Sequence, residues 1–170
     1  MWRPGFPHED AVPARLTGAH RALCVYSHVH RGTPSRPGLV LGLDRGGACR
    51  GVAFRVASTD WEETVAYLRA REQATAVYLE RLRPVTLIMS DNGSGPSVSA
   101  LTYLVDRDHI QYAGRLSEDR QHSLVLDGHG QAGPNIDYIV NTVAHLRELG
   151  IHDVQLMRLA ERLTAGTRDA

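Results

Sequence analysis

The chain has 170 residues, 42% of them hydrophobic and 22% charged, the balance of a soluble globular protein with enough length for one core. Nineteen basic residues offset nineteen acidic ones, so no whole-chain field exists to draw in nucleic acid or an anionic membrane surface. All the basic residues are arginine, and the absence of lysine excludes Schiff-base catalysis, pyridoxal phosphate attachment and a P-loop.

No apolar run approaches the roughly 18 residues of a membrane-spanning helix, and residues 1–10 hold no signal-peptide core, so a cytoplasmic protein is expected. Cys24 and Cys49 fit neither a CxxC nor a Cys/His spacing and read as small buried hydrophobes rather than a disulfide or zinc site. Nothing in the sequence points to self-association, and a monomer is the default expectation.

In chain order, Pro4, Gly5, Phe6 and Pro7 predict an irregular segment lying against another element. Leu16–Val29 reads as a strand and Gly38–Leu43 as a second. Asp44-Arg45-Gly46-Gly47 has the chemistry of a hairpin turn leading to a strand over Cys49–Val56. Thr59 and Glu62 have capping-box spacing, which predicts a helix from about Asp60 to Gln73. Leu79–Ser90 and Ser97–Val105 form a second predicted hairpin across Ser-Asp-Asn-Gly-Ser-Gly-Pro. Ser117 caps a predicted helix ending near Leu126, Asn135 caps another that stops at Gly150, and Asp153 caps the last. Strands, a helix, more strands and then helices imply an α+β fold with an antiparallel or mixed sheet. Residues 1–164 read as a single domain and 165–170 as a polar tail.

Within the first predicted helix, Trp61, Val65 and Leu68 share a stripe that should face the core. Glu72 continues it, within about 20° of Trp61 at 100° per residue. A carboxylate on an apolar stripe is either paired, at the wet end of the helix, or set in a pocket for chemistry. Desolvation would raise its pKa and make it a general base, whereas a salt bridge with flanking Arg69 or Arg71 would oppose this. His28 and His30 alternate on one strand face, but no Asp, Glu or Cys nearby completes a metal site. Arg31, in the turn-rich segment His30–Pro34, could hold a carboxylate by a bidentate contact or lie in an ordinary solvated loop.

Taken together, several segments resemble the ChaC family of γ-glutamylcyclotransferases. They are Trp2-x-Pro4-Gly5-Phe6, Gly18-x-His20-Arg21, Ser27 with His30-Arg31-Gly32-Thr33-Pro34, Pro37-Gly38-Leu39-Val40-Leu41-Gly42-Leu43, Gly51-Val52-Ala53-Phe54-Arg55 and Tyr67-Leu68-x-x-Arg71-Glu72. Downstream, Arg107-Asp108-His109, Gln111-Tyr112-Ala113-Gly114, Gly133-Pro134-Asn135-x-Asp137-Tyr138 and Asn141-Thr142-Val143-x-His145-Leu146 continue it in order.

The resemblance implies a small mixed β-barrel with flanking helices, release of 5-oxoproline and Cys-Gly from glutathione, and no metal or organic cofactor. It makes Glu72 the catalytic glutamate. Arg31 is then expected to bind a substrate carboxylate, and Tyr112 to offer a pocket hydroxyl. Against these roles stand plain structural ones, Arg31 as a donor to backbone carbonyls and Tyr112 as a loop anchor.

Relatives carry Phe-Gly-Tyr-Gly-Ser-Leu just before the position of Met1, a glycine-rich loop that binds the γ-glutamyl group. Its absence leaves three expectations open. Met1 is an internal methionine taken for the start, or the chain is a truncated scaffold that folds or binds without turnover, or an active cyclotransferase. Substrates other than glutathione stay open too, because lactam closure uses only the γ-glutamyl arm.

Overall fold

A computed structural model describes residues 4–90 and 93–165. The chain forms two compact units: one runs to Ala22 and resumes over Gly42–His109, and the other comprises Leu23–Leu41 and the chain from Ile110 onward. Strands β1 (Asp10–Ser27) and β2 (Gly38–Arg55) pass from one unit into the other. Helix α1 (Trp61–Glu72), β3 (Tyr78–Ser90) and β4 (Gly93–Val105) belong to the first. Helix α2 (Glu118–Asp127), the two-residue strands β5 (His129–Gly130) and β6 (Gly133–Pro134), α3 (Asn135–Glu148) and α4 (Val154–Ala165) belong to the second.

The sheet is a closed barrel of order β1-β2-β4-β3. It is mixed as expected, because β2 meets β4 in parallel at Leu43 and Leu104 while β1 with β3 and β3 with β4 are antiparallel. Ala14, Leu16, Ala19, Val85 and Leu104 fill the core of the first unit. Burial on β1 falls on even positions at Ala14 and Leu16 and on the odd ones Ala19, Leu23 and Val25 beyond them, where Cys24 is buried as well. The switch occurs at Gly18, whose φ of 83° lets the strand change face without breaking.

The predicted first hairpin does not exist. Asp44-Arg45-Gly46-Gly47 lies inside β2, which continues through it for 18 residues. Gly46 and Gly47 adopt φ of 97° and 66°, so the left-handed residues bend a strand here instead of reversing it. Arg107 pins the bend, its Nε 2.7 Å from Asp44 Oδ1 and its Nη2 donating to the Arg45 carbonyl at 3.2 Å. The second hairpin forms, with Ser90 opposite Gly93 and β4 starting four residues before the predicted Ser97; residues 91 and 92 lie outside the described residues.

The capping box is also absent. Thr59 Oγ1 donates to the Asp60 carboxylate at 3.0 Å, and a 3-10 turn over Ser58–Asp60 leads into α1 with no side-chain cap. Trp61 is 43% exposed, unlike the stripe residues Val65 and Leu68, which are buried with Thr64. The helical wheel fixes azimuth but not depth, and Trp61 sits at the helix's first residue.

In the second unit α2, α3 and α4 contribute Leu124, Val125, Ile139, Val143, Leu146, Leu159 and Leu163 to one core with Leu23 and Leu39. Ser117 caps α2 through the Arg120 N–H, and Asp153 caps α4 through the Leu156 N–H. Gly150, at φ 65°, follows the end of α3. Asn135 does not cap α3: fully buried, it accepts from the Leu39 N–H at 2.6 Å and donates to the Leu39 carbonyl at 2.9 Å. Its amide thus bonds both backbone polar groups of Leu39 on β2.

Candidate active site

Glu72 is the last residue of α1, one turn beyond the buried Leu68. Its side chain is 20% exposed, so the apolar stripe ends in a partly shielded carboxylate. Arg71 Nε lies 3.3 Å from its Oε1. Arg71 Nη1 also donates to the Pro4 carbonyl at 3.1 Å and to the Tyr67 hydroxyl at 3.3 Å, and so ties the N-terminal segment to the helix end that carries Glu72. Phe6 packs edge-on to Phe54 and Tyr67, as expected of a segment lying against other elements. The cavity between this segment and α1, lined by Gly5, Phe6, Glu63 and Thr64 among others, holds about 90 Å³ and does not include Glu72.

The other flanking arginine pairs with a different acid. Arg69 grips Glu80 on β3 with two hydrogen bonds, Nη2 to Oε1 at 2.7 Å and Nε to Oε2 at 3.0 Å. Glu80 stands directly opposite Tyr103 in the β3–β4 register and accepts the Tyr103 hydroxyl at 3.0 Å. The hydrogen bonds from Arg69 hold the Glu80 carboxyl below its ordinary value. Burial foremost, then the bond to Glu80, pushes the Tyr103 phenol well above the usual tyrosine range, and the Glu72 charge adds in the same direction. Tyr103 is therefore a protonated donor to Glu80 at any physiological pH.

A carboxyl with a depressed native pKa contributes stability above its unfolded pKa and loses it as pH falls through the native value. Glu80→Gln is therefore expected to lose less stability than the wild type between pH 6 and pH 3, read as urea midpoints at the two pH values. Equal losses would show that the Arg69–Glu80 pair contributes nothing to acid sensitivity.

Arg31 and Tyr112 lie in the second unit. Arg31 Nη1 donates to the carbonyls of Ala132 and Pro134, at 2.6 and 3.1 Å, and its guanidinium lies 5.7 Å from the Tyr138 ring centroid. Its backbone N–H donates to Ser27 Oγ at 3.0 Å. Tyr112 pairs with Val25 in an antiparallel bridge, flanked by the Tyr26 N–H on the Gln111 carbonyl and the Ala113 N–H on the Cys24 carbonyl, both 2.8 Å. Both residues thus hold loops to β1 and β5–β6 through polar contacts.

His28 stacks on Tyr26, and among the described residues no group of three His, Cys, Asp or Glu side chains has the arrangement of a metal site. Neither cysteine forms a disulfide. No described helix is long and apolar enough to cross a membrane. Sequence reading missed the Glu80–Tyr103 pair altogether. The signal was available in principle, since Glu80 and Tyr103 lie equally far along their strands from Ser90 and Gly93, which also face each other.

A family model described as ChaC-like protein matches residues 1–165. The glutathione-specific gamma-glutamylcyclotransferase of Escherichia coli is 30% identical over 153 residues, which cover 90% of this chain and 64% of that protein's length. Gamma-glutamylcyclotransferase 2-3 of Arabidopsis thaliana is 26% identical, with 96% of this chain and 83% of that protein covered. Among solved structures, a yeast γ-glutamyl cyclotransferase specific to glutathione matches with a TM-score of 0.82 at 20% identity, covering 93% of this chain and 89% of that one. This last likeness shows the shared fold.

Proposed function

The chain belongs to the ChaC-like protein family, and on that premise we propose that it degrades glutathione by closing the γ-glutamyl arm on itself, releasing 5-oxoproline and Cys-Gly with Glu72 as the acid and base. The observation that supports this reading is Glu72 itself, a partly shielded carboxylate at the end of the buried stripe of α1, the residue that the family resemblance makes the catalytic glutamate.

The chemistry needs one such group. The substrate brings its own nucleophile, the α-amine, held within reach of the γ-carbonyl once the arm is folded; such proximity lowers barriers by about 7–11 kcal/mol in the best intramolecular cases. At neutral pH that amine is an ammonium. Glu72 removes one proton, the amine attacks the γ-carbonyl, and the tetrahedral oxyanion collapses with cleavage of the γ-amide bond. The proton on Glu72 passes to the departing cysteinyl nitrogen, and the second proton, shed by the attacking nitrogen as it becomes the lactam N–H, follows through Glu72 so that the departing amine leaves as an ammonium. Backbone N–H groups supply the oxyanion contacts. No water, metal or organic cofactor enters this balance.

Arg31 and Tyr112 are assigned to substrate binding by the family resemblance; Arg31 would reach a carboxylate with the Nε and Nη2 edge that its contacts to Ala132 and Pro134 leave available. We place the reaction in the cytoplasm, carried out by single chains. Glutathione acetylated on its α-amine tests the mechanism. It is expected to inhibit or bind without yielding Cys-Gly, measured by mass spectrometry, because the nucleophile is gone. Release of Cys-Gly from the blocked compound would show external hydrolysis instead.

A further inference from the structure

Independently of the role of Glu72, we propose that the cavity between the N-terminal segment and α1 binds a small primary ammonium, whose N–H groups are accepted by Thr64, Asp60 and Glu63 beside the rings of Phe6 and Tyr67. The cavity holds about 90 Å³ and lies wholly within the first unit. One water needs about 10–15 Å³ and drug-sized ligands occupy about 300–1,000 Å³, so the space suits a small head group.

Thr64 is the residue that points to a ligand. It lines the cavity, is 3% exposed, and its buried Oγ1 has no hydrogen-bond partner among the described residues. Buried hydroxyls are ordinarily satisfied. Those of helical threonines often bond back to the carbonyl one turn earlier, as Thr142 does to Tyr138 at 2.6 Å and Thr164 to Ala160 at 3.0 Å. Thr64, within α1, does not. Gly5 shapes another part of the wall: at φ 73° it comes so close to α1 that a side chain there would collide with the Tyr67 hydroxyl.

The charge of the lining selects a cation. Asp60 and Glu63 line the cavity and no arginine does. Glu63 has no hydrogen-bond or ion-pair partner among the described residues, and Asp60 accepts the Thr59 hydroxyl at 3.0 Å. Two carboxylates outweigh the roughly +0.5 charge of the α1 N-terminus at which they stand. Arg71, which donates to the Tyr67 hydroxyl, is offset by Glu72 at 3.3 Å. The Phe6 and Tyr67 rings, with centroids 6.4 Å apart, supply aromatic faces that attract an organic cation, whereas a divalent metal ion would ask for more oxygen ligands.

The test is a ¹H–¹⁵N NMR titration of the full chain with methylammonium at pH 7, exchanged against sodium chloride at constant ionic strength. Saturable shifts at the Gly5, Glu63 and Thr64 amides are expected, with a Kd on the order of 10 mM, near the limit for two heavy atoms. Tetramethylammonium, which has no N–H to donate, should bind at least about fivefold more weakly. Thr64→Val and Glu63→Gln should each weaken methylammonium binding by at least about fivefold, whereas Glu161→Gln, an exposed acid on α4, should leave it unchanged. Thr64→Val should fold with the wild-type Tm or a higher one, because the hydroxyl it removes has no partner to lose. Shifts that grow linearly without saturating, or a Kd unchanged in either Thr64→Val or Glu63→Gln, would overturn the proposal. Equal binding of tetramethylammonium would do the same, since it would leave the rings alone as the recognising groups.

Discussion

Glu72→Gln is expected to lower glutathione turnover by about 10²–10⁴-fold, the range spanned by removal of a positioned acid–base group. Glutamine keeps the size and hydrogen-bonding shape of the side chain but cannot hold a proton, so substrate binding should change little and the loss should fall on kcat. The fold should tolerate the change. The residue closes α1 with its side chain 20% exposed, and the ion pair it loses, to Arg71 at 3.3 Å, is partly exposed and of the kind worth about 0–1 kcal/mol. Glu72→Asp should retain more turnover than the glutamine variant, because the acid is kept and only its reach shortens. Turnover by Glu72→Gln at the wild-type rate would move the base elsewhere in the chain.

The largest expected effect on stability lies far from any proton transfer. Asn135→Ala removes both partners of the Leu39 backbone, whose N–H and carbonyl are buried with it. Each orphaned group costs about 1–3 kcal/mol, so a loss of about 2–5 kcal/mol is expected. The surroundings leave little room for relief. A side chain at Gly38 would meet the Arg31 carbonyl and Asn135 Oδ1, so the backbone here is already close-packed around the amide. For a chain of this size that loss corresponds to a fall in Tm of about 10 °C. Asn135→Asp should also destabilise, since it keeps the acceptor, loses the donor and buries an acid. A Tm within about 1 °C of wild type for Asn135→Ala would mean that water reaches Leu39 after the substitution.

How far the sequence foretold these features depends on the range of the signal. Helix α2, the caps at Ser117 and Asp153, the stop at Gly150 and the β3–β4 hairpin rest on contacts within a few residues, and they form where the pattern places them. Asp44-Arg45-Gly46-Gly47 misleads because left-handed glycines serve a hairpin turn and a bent strand alike; what decides is Arg107, 63 residues away, holding Asp44. Asn135 misleads for the same reason. Its position before a helix fits a cap, but its partner is Leu39, 96 residues distant.

Glu72 was legible because a helical wheel needs no tertiary information to set a carboxylate on an apolar stripe. Tyr103 and Glu80 were not, because nothing local marks one acid or one phenol on a strand. Their meeting depends on hairpin register, and their significance on an arginine from α1. The family motifs identify a lineage, whereas the backbone-anchoring contacts of Arg31 emerge only once Ala132 and Pro134 have been brought to it by the fold.

The most direct test of lactam closure is the identity of the acid released. Purified chain incubated with glutathione, with products quantified by mass spectrometry over time, is predicted to yield 5-oxoproline and Cys-Gly in equal amounts with no glutamate and no uptake of ¹⁸O from labelled water. Glutamate carrying one ¹⁸O beside Cys-Gly would contradict the account, since it would mean that water, not the substrate's own amine, attacks the γ-carbonyl.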